Sequence, residues 1–193
     1  MAPTDAQIIQ GSIEKPALFE GIFDRHYEIV RAYAQRRLGM DDGEEIAAAT
    51  FEQAFMQRSR FDGRTSATAR PWLIGITNNL VRSHLRHAGV ERRHPPVSIA
   101  LTMPESEPNL DAIDAQRRIP DINAALSELS DQDRETFLLV VLGELSYADV
   151  AGIVGVPVGT VRSRVNRARG VLRELLFPPK TINPGKQERG NLE

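Results

Sequence analysis

The chain has 193 residues, 41% of them hydrophobic, which is enough for packed cores and too much for a wholly disordered chain. It contains no cysteine, so a disulfide scaffold, a cysteine nucleophile and a thiolate zinc site are excluded. The longest apolar run, residues 137–142, is too short to cross a bilayer, and the N-terminus lacks the pattern of a secretory signal. We therefore expect a cytoplasmic protein without membrane insertion.

The net charge of −2 hides an uneven distribution of charge along the chain. Residues 58–94 carry eight arginines against two acids, and residues 160–175 carry five arginines against one acid. Between these blocks, residues 104–135 carry nine acids against three arginines. Two basic blocks separated by an acidic one indicate nucleic-acid contacts at two places.

The N-terminal half of the sequence is predicted to be helical after a loose leader. Residues 1–15 show no clear period and are predicted to be this leader. Three amphipathic helices follow, with a stop at Gly39 and a turn at residues 61–63. We predict them at residues 16–38, from about 41 to the turn, and 70–87.

The third of these helices carries a polar stripe rich in asparagine and arginine. Asn78, Asn79, Arg82 and Arg86 recur at helical spacing and lie near the aromatic side chain of Trp72. Such a stripe suits contact with phosphates and with the exposed bases of single-stranded DNA. Apolar spacing alone favours a core position for Trp72, so the pattern does not decide whether the stripe contacts nucleic acid.

The C-terminal half begins after a segment rich in prolines and acids, residues 95–118, which we predict to be a flexible linker. Four further helices are predicted at residues 119–129, 131–142, 146–154 and 158–176, followed by a polar tail. No stretch shows the alternation typical of a strand. The predicted fold class is therefore all-α, with two small helical domains joined by a flexible acidic linker.

Residues 146–169 have the pattern of a helix-turn-helix. Ala151, Gly155 and Val161 supply the small residue at the crossing, the glycine at the turn and the branched apolar residue that the motif needs. The second helix is sharply two-faced, with an apolar stripe from Val161 to Leu175 and arginines on the remaining surface. Such a helix fits the major groove, where arginine pairs with guanine and asparagine with adenine.

The sequence contains no recognisable catalytic constellation. A phosphate-binding loop is missing, since Gly159-Thr160 lacks the lysine, and no Gly-x-Ser-x-Gly elbow occurs. His84 and His87 share a helical face without a third ligand, and His26 lies on an apolar face typical of a core histidine. We expect no enzyme activity, no catalytic residue, no metal site and no cofactor.

These motifs together resemble the extracytoplasmic-function (ECF) group of bacterial sigma factors. The helix-turn-helix, with Val156-Pro-Val-Gly-Thr-Val-Arg-Ser-Arg164, resembles the family's region four. The segments Glu44-Glu-Ile-Ala-Ala-Ala-Thr-Phe51 and Pro71-Trp-Leu-Ile-Gly-Ile-Thr-Asn-Asn-Leu80 resemble its region two. The resemblance implies a factor that binds core RNA polymerase through the β and β′ subunits, binds promoter DNA, and is held inactive by an anti-sigma factor.

The resemblance also implies a division of the chain into functional parts. The implied parts are residues 1–15 as leader, 16–94 as region two, 95–118 as linker, 119–177 as region four and 178–193 as tail. Region two would bind core polymerase and melt the minus-ten promoter element. Region four would read the minus-thirty-five element with its helix-turn-helix.

Three sets of site residues follow from the resemblance and the patterns above. The minus-thirty-five set is Thr160, Arg162, Ser163, Arg164, Asn166 and Arg167. The minus-ten set is Trp72, Asn78, Asn79, Arg82, Ser83 and Arg86. The set implied to bind core polymerase is Glu44, Glu45, Ile46, Ala49, Thr50 and Phe51.

The sequence departs from the family pattern at two places. Glu45 is followed by Ala48 and Ala49 where glutamine and glutamate are common, and Asn78 stands where a basic residue is common. The individual polymerase contacts and the minus-ten preference can therefore differ from those of other members. The alternative function is a stand-alone helix-turn-helix regulator, which would bind DNA tightly without polymerase.

Overall fold

The computed structural model describes residues 2–63, 68–87 and 110–177, and within these ranges the secondary structure is helical. The helices of the N-terminal half are α1 (Asp5–Glu14), α2 (Glu20–Leu38), α3 (Met40–Gln57) and α4 (Arg70–His87), with 3-10 turns at Pro16–Phe19 and Arg58–Arg60. Those of the C-terminal half are α5 (Leu110–Ser127), α6 (Asp131–Val141), α7 (Tyr147–Val154) and α8 (Val158–Leu176). These bounds confirm the all-α prediction.

The prediction of a loose leader at residues 1–15 is wrong, because α1 is a capped helix that packs on the core. The Thr4 side chain accepts from the Gln7 backbone N–H, and the Gln7 side chain accepts from the Thr4 backbone N–H. Ile8 and Ile9 are buried against the rest of the N-terminal domain. Ten residues are too few for a clear period, but the Thr-x-x-Gln capping box was a signal in the sequence.

Helices α2, α3 and α4 form the core of the N-terminal domain around fully buried Val30, Tyr33 and Leu73. Gly39 ends α2 at φ 93°, a value that favours glycine. Gly43 lets α3 approach α2 closely, since an added Cβ would lie 2.4 Å from the Gln35 Cα. These two glycines allow α2 and α3 to pack closely as an antiparallel pair. Helix α4 packs against both helices.

The linker predicted at residues 95–118 is wrong at its C-terminal end, because α5 already begins at Leu110. Pro120 lies inside this helix, whereas the sequence predicts that the helix begins at residue 119, directly before the proline. Proline costs a helix one backbone hydrogen bond, but packing of the following turns can offset that loss. The remainder of the predicted linker, residues 95–109, and the tail at 178–193 lie outside the described residues.

The helix-turn-helix forms as predicted from α7 and α8. A capping box between Ser146 and Asp149 starts α7, and Gly155 ends it in the left-handed conformation at φ 68°. Val161 and Val165 of α8 are fully buried against α6 and α7. Burial of this stripe fixes the rotation of α8 and points its arginines away from the core.

The two halves of the chain pack against each other through α4, α6 and α7. The Arg70 guanidinium donates to the Gly143 carbonyl oxygen at 3.2 Å and pairs with the Glu144 carboxylate at 2.5 Å. A Cβ added at Gly75 of α4 would lie 3.5 Å from Ile153 of α7. Most buried apolar residues of both halves form one continuous cluster, and Ala34, Ile46 and Val81 form a smaller second one. None of the described helices combines the length and apolar character needed to span a membrane.

Candidate nucleic-acid and polymerase interfaces

The outer face of α8 presents the clearest candidate for a nucleic-acid interface. Arg162, Ser163 and Asn166 are exposed, and all three lie near the N-terminal end of the helix. The opposite face is anchored by buried Val161 and Val165. An arginine and an asparagine four residues apart lie side by side on a helix, so both can reach neighbouring base edges.

Two of the predicted minus-thirty-five residues are bound to α6 in this structure. The Arg167 guanidinium donates two hydrogen bonds to the Asp133 carboxylate, both at 3.0 Å, while Arg164 donates to Gln132 Oε1 at 2.7 Å. The Arg167 side chain is nevertheless 63% exposed. These contacts brace α8 against α6, so Arg164 and Arg167 have a supporting role that sequence patterns did not reveal.

The side chains of Thr160 and Ser163 are less available for DNA contacts than those of Arg162 and Asn166. Ser163 Oγ donates to the Gly159 carbonyl oxygen at 3.0 Å, within its own helix. Thr160 is half-buried in the first turn of α8. Both lie at the end of α8 that carries Arg162, so they belong to the same surface.

The prediction that Asn78 lies on an exposed stripe of α4 is wrong. Its side chain is only 1% exposed, accepts from the Tyr33 hydroxyl at 3.0 Å and donates to the Glu135 carboxylate at 2.7 Å. Burial raises the pKa of the Tyr33 phenol, so this hydroxyl stays protonated and donates. Helical spacing placed Asn78 beside exposed neighbours, but α2 and α6 close over it.

The other residues of the α4 stripe remain at the surface. Asn79, Arg82 and Arg86 are exposed, and Ser83 is half-buried. The Arg82 guanidinium lies 3.5 Å from the Glu135 carboxylate of α6. The stripe therefore borders the C-terminal domain, and one of its arginines is already paired with it.

A cleft of about 580 Å³ opens between the two domains next to this stripe. Its walls include Phe61, Trp72 and Asn79 from one domain, and Asp149 and Ile153 from the other. The rings of Phe61 and Trp72 pack with centroids 5.0 Å apart. Trp72 is half-buried, so it serves the core and also presents an aromatic edge to the cleft.

The residues implied to bind polymerase divide between the surface and the core of α3. Glu44 and Glu45 are exposed and Ala49 is half-buried. Ile46, Thr50 and Phe51 are buried, and Thr50 donates to the Ile46 carbonyl oxygen at 2.8 Å. These three side chains face α2 and α4, so they are not at the surface of α3 in this structure, and their contact with polymerase stays a prediction.

Beside the exposed part of α3 lies an aromatic cluster from α2. Phe23 stacks on Tyr27 with centroids 4.5 Å apart, packs on Phe51, and is 40% exposed. The Tyr27 hydroxyl donates to the Glu44 carboxylate, and this bond raises the pKa of the phenol. An exposed phenyl ring next to a fixed carboxylate suits a protein partner better than DNA.

The sequence reasoning missed a buried carboxylate at Asp5. Burial would raise its pKa, but hydrogen bonds from the Ala69 backbone, Arg25, His26 and Thr68 outweigh this and lower it to about 2. His26 Nε2 lies 2.7 Å from the carboxylate, which confirms the prediction of a satisfied core histidine. A single aspartate gives no sequence signal that it will be buried, because its hydrogen-bond partners lie far away in the sequence.

The described residues contain no group of three or more histidine, aspartate or glutamate side chains that could hold a metal ion. His84 pairs with Asp42 at 3.2 Å, so this histidine serves to join α4 to α3.

Comparison with known families matches both halves of the chain. Residues 22–90 match the family described as Sigma-70 region 2, and residues 120–172 match the family described as Sigma-70, region 4. The two matches fall on the two packed domains described above.

Individual proteins and structures are similar to the chain over most of its length. It is 36% identical over 135 residues to the ECF RNA polymerase sigma factor SigC of Mycobacterium tuberculosis, an alignment that covers 67% of each chain. It is 34% identical over 149 residues to the ECF sigma factor EcfG of Rhodopseudomonas palustris, covering 77% of this chain and 79% of that one. Among solved structures, the sigma factor RpoE in complex with the anti-sigma factor NepR from Bartonella quintana superposes with a TM-score of 0.59 at 29% identity, covering 82% of this chain and 96% of that one.

Proposed function

The chain belongs to the extracytoplasmic-function group of RNA polymerase sigma factors, which direct the polymerase to promoters, and from this premise we propose how its helices divide that work. The proposed parts are residues 16–94 for polymerase binding and promoter melting, and residues 119–177 for minus-thirty-five recognition. The chain supplies recognition, while the chemistry of RNA synthesis belongs to the polymerase.

The minus-thirty-five element is read by the N-terminal half of α8. Arg162 and Asn166 are the principal base-reading residues, because both are exposed on a helix whose opposite face is anchored in the core. Thr160 and Ser163 contribute at the same end, and Arg164 and Arg167 contact phosphates while they brace α8. This exposed polar face on a fixed helix is the observation that carries the proposal.

The minus-ten element is engaged by α4. Asn79, Arg82, Ser83 and Arg86 form the contact surface, and Trp72 offers an aromatic edge on which an unpaired base can stack. Asn78 positions α4 from within the core and does not contact DNA. The surface borders the C-terminal domain, so promoter binding requires that α6 and α7 move away from α4.

Core polymerase is bound by α3, with Glu44, Glu45 and Ala49 at the contact with the β′ subunit and further contacts to β. The exposed Phe23 ring extends this surface with apolar area. Ile46, Thr50 and Phe51 support the helix from inside. Polymerase would also hold the two domains at the spacing that a promoter requires.

An anti-sigma factor is the proposed inhibitory partner of the chain in the cytoplasm. The solved relative from Bartonella quintana was captured in complex with such a protein. In this chain, a partner that holds the two packed domains together would keep the α4 surface against α6 and α7. Its inhibition would then act through the arrangement of domains seen here.

Run-off transcription tests the proposed function. Purified chain is added to sigma-free bacterial core polymerase on a library of promoter fragments, and transcripts are sequenced. We expect initiation that depends on the chain and falls with Arg86→Ala. Absence of initiation and of core binding, together with tight DNA binding by the chain alone, would contradict the proposal and support a stand-alone regulator.

A further inference from the structure

Asp5, near the N-terminal end of the described chain, contacts the start of α4, which follows more than 60 residues later in the sequence. Its Oδ2 atom accepts from the Ala69 backbone N–H at 2.8 Å and from the Thr68 hydroxyl at 2.9 Å. The residue is only 7% exposed. A buried carboxylate with these partners serves a specific structural purpose, since an unpaired charge would not stay buried.

The start of α4 has one local side-chain acceptor, the Thr68 hydroxyl, which accepts from the Arg70 backbone N–H at 3.3 Å, and the cap residue itself provides none. Ala69 occupies the cap position, since its carbonyl oxygen accepts from the Leu73 N–H at 3.0 Å. Alanine has no side-chain acceptor and is a poor cap. Asp5 bonds the N–H of the cap residue, as the acidic residue of a capping box does, but from another helix. Its negative charge also complements the positive end of the α4 dipole.

Helix α1 contacts the chain before α4 at further points. A Cβ added at Gly63 would lie 2.7 Å from the Ala6 Cβ, so glycine is what allows this close approach. Arg58 Nε donates to the Ser12 carbonyl oxygen at 3.3 Å. Thus α1 holds the chain on both sides of residues 64–67, and the aromatic pair Phe61 and Trp72 lies on these two anchored ends.

We propose that Asp5 is a positioning residue for promoter opening, which fixes the start of α4 and the Phe61–Trp72 pair so that they can receive the melted strand. This inference rests on the proposed role of α4 at the minus-ten element. It adds α1 to the promoter-melting part of the chain, although residues 1–15 carry no DNA-binding pattern.

Arg25 and His26 of α2 also hold the Asp5 carboxylate. The Arg25 guanidinium pairs with Asp5 Oδ1 at 2.9 Å and also donates to the Pro3 carbonyl oxygen at 3.0 Å. These contacts hold the carboxylate in place when DNA binds nearby. Asp5 thereby connects three helices, and its removal loosens the start of α4 more than it loosens α2 or α3.

The test uses the full chain with core polymerase and compares Asp5→Ala and Asp5→Asn with two controls. Asp24→Asn removes the same charge from an exposed position on α2. Val30→Ala removes buried volume from the same domain. It is compared with Asp5→Ala at an assay temperature at which the two variants are equally stable. Permanganate footprinting measures promoter opening, fluorescence anisotropy measures core affinity, and amide exchange by NMR follows the Ala69 N–H.

For Asp5→Ala we expect promoter opening to fall about tenfold, from loss of one cap and of charge-assisted hydrogen bonds, while core affinity stays within about twofold. Asp5→Asn should show a smaller loss, and in both variants the Ala69 amide should exchange faster. Neither control should reduce opening. Unchanged opening in Asp5→Ala, an equal loss in Val30→Ala, or unchanged Ala69 exchange would each overturn the inference. If the unaltered chain opened no promoter, the proposed function itself would fail, independently of Asp5.

Discussion

The two arginine-bearing helices α4 and α8 differ in how they present their polar faces. On α8, Arg162 and Asn166 are exposed, and among the described helices α8 packs against α5, α6 and α7 of its own domain. On α4, Asn78 is enclosed and Arg82 is paired with Glu135 of the other domain. Similar residue types at similar spacing therefore have different accessibility.

The two proposed DNA-binding surfaces are therefore not equally accessible while the two domains are packed together. The proposed minus-thirty-five surface is open, whereas the proposed minus-ten surface is bordered by α6 and α7. Promoter melting would then require the two domains to separate, and binding to polymerase would supply the free energy for that separation.

The largest effect is expected at the open surface, from Arg162→Ala. Loss of a bidentate contact to a base should weaken minus-thirty-five recognition by about 1–3 kcal/mol and lower run-off transcription about tenfold or more. Arg173→Ala removes the same charge from the far end of α8 and is the matched control. Equal losses in both variants, without any change in base preference, would reduce α8 to a nonspecific phosphate-binding helix.

An intermediate effect is expected from Asp5→Asn at the start of α4. The distant Asp5 carboxylate caps this start, whereas α8 starts after Pro157 without a side-chain cap. The pKa of Asp5 is lowered to about 2, so its ionised form stabilises the fold fully above about pH 4 and loses this contribution as the pH falls through about 2. The contribution at neutral pH is about 2 kcal/mol. Urea unfolding of the unaltered chain and Asp5→Asn should differ by this amount at pH 7, and the difference should shrink below pH 4. A difference independent of pH would refute the assignment.

The smallest effect is expected where α8 is braced, at the Arg167–Asp133 pair. Because Arg167 is largely exposed, the coupling should be about 0.5–1 kcal/mol. A double-mutant cycle with Asp133→Asn and Arg167→Ala, read by urea unfolding of the full chain, measures it. A coupling of zero would leave Arg167 as a DNA contact alone and would remove its supporting role.

Local patterns were sufficient to predict most helices of this fold. The bounds of α4 and the capped start of α7 follow from apolar spacing and from Ser146, Pro71 and Gly155, whose effects are local. Helix α1 was missed because ten residues give a weak period, although its capping box was present. The start of α5 was missed because prolines and acids obscure helical spacing.

The site was less predictable, because burial of a polar residue depends on distant parts of the chain. Asn78 shares a stripe with exposed neighbours, and only the arrival of Tyr33 and Glu135 encloses it. Asp5 acquires its role from Ala69, 64 residues away. Phe51 belongs to the set that the resemblance implies to bind polymerase, yet the structure buries it in the core, which the resemblance alone does not show.

The proposed promoter melting requires the two domains to separate, and a disulfide between them tests this requirement directly. The chain contains no cysteine, and a Cβ at Gly75 would lie 3.5 Å from Ile153 Cγ1, so the pair Gly75→Cys and Ile153→Cys places its only two thiols across the interface. Run-off transcription with core polymerase is measured for the oxidised and the reduced form, with each single variant as control. We expect the oxidised form to be inactive and reduction to restore initiation. Equal initiation by a chain verified to be cross-linked would contradict it.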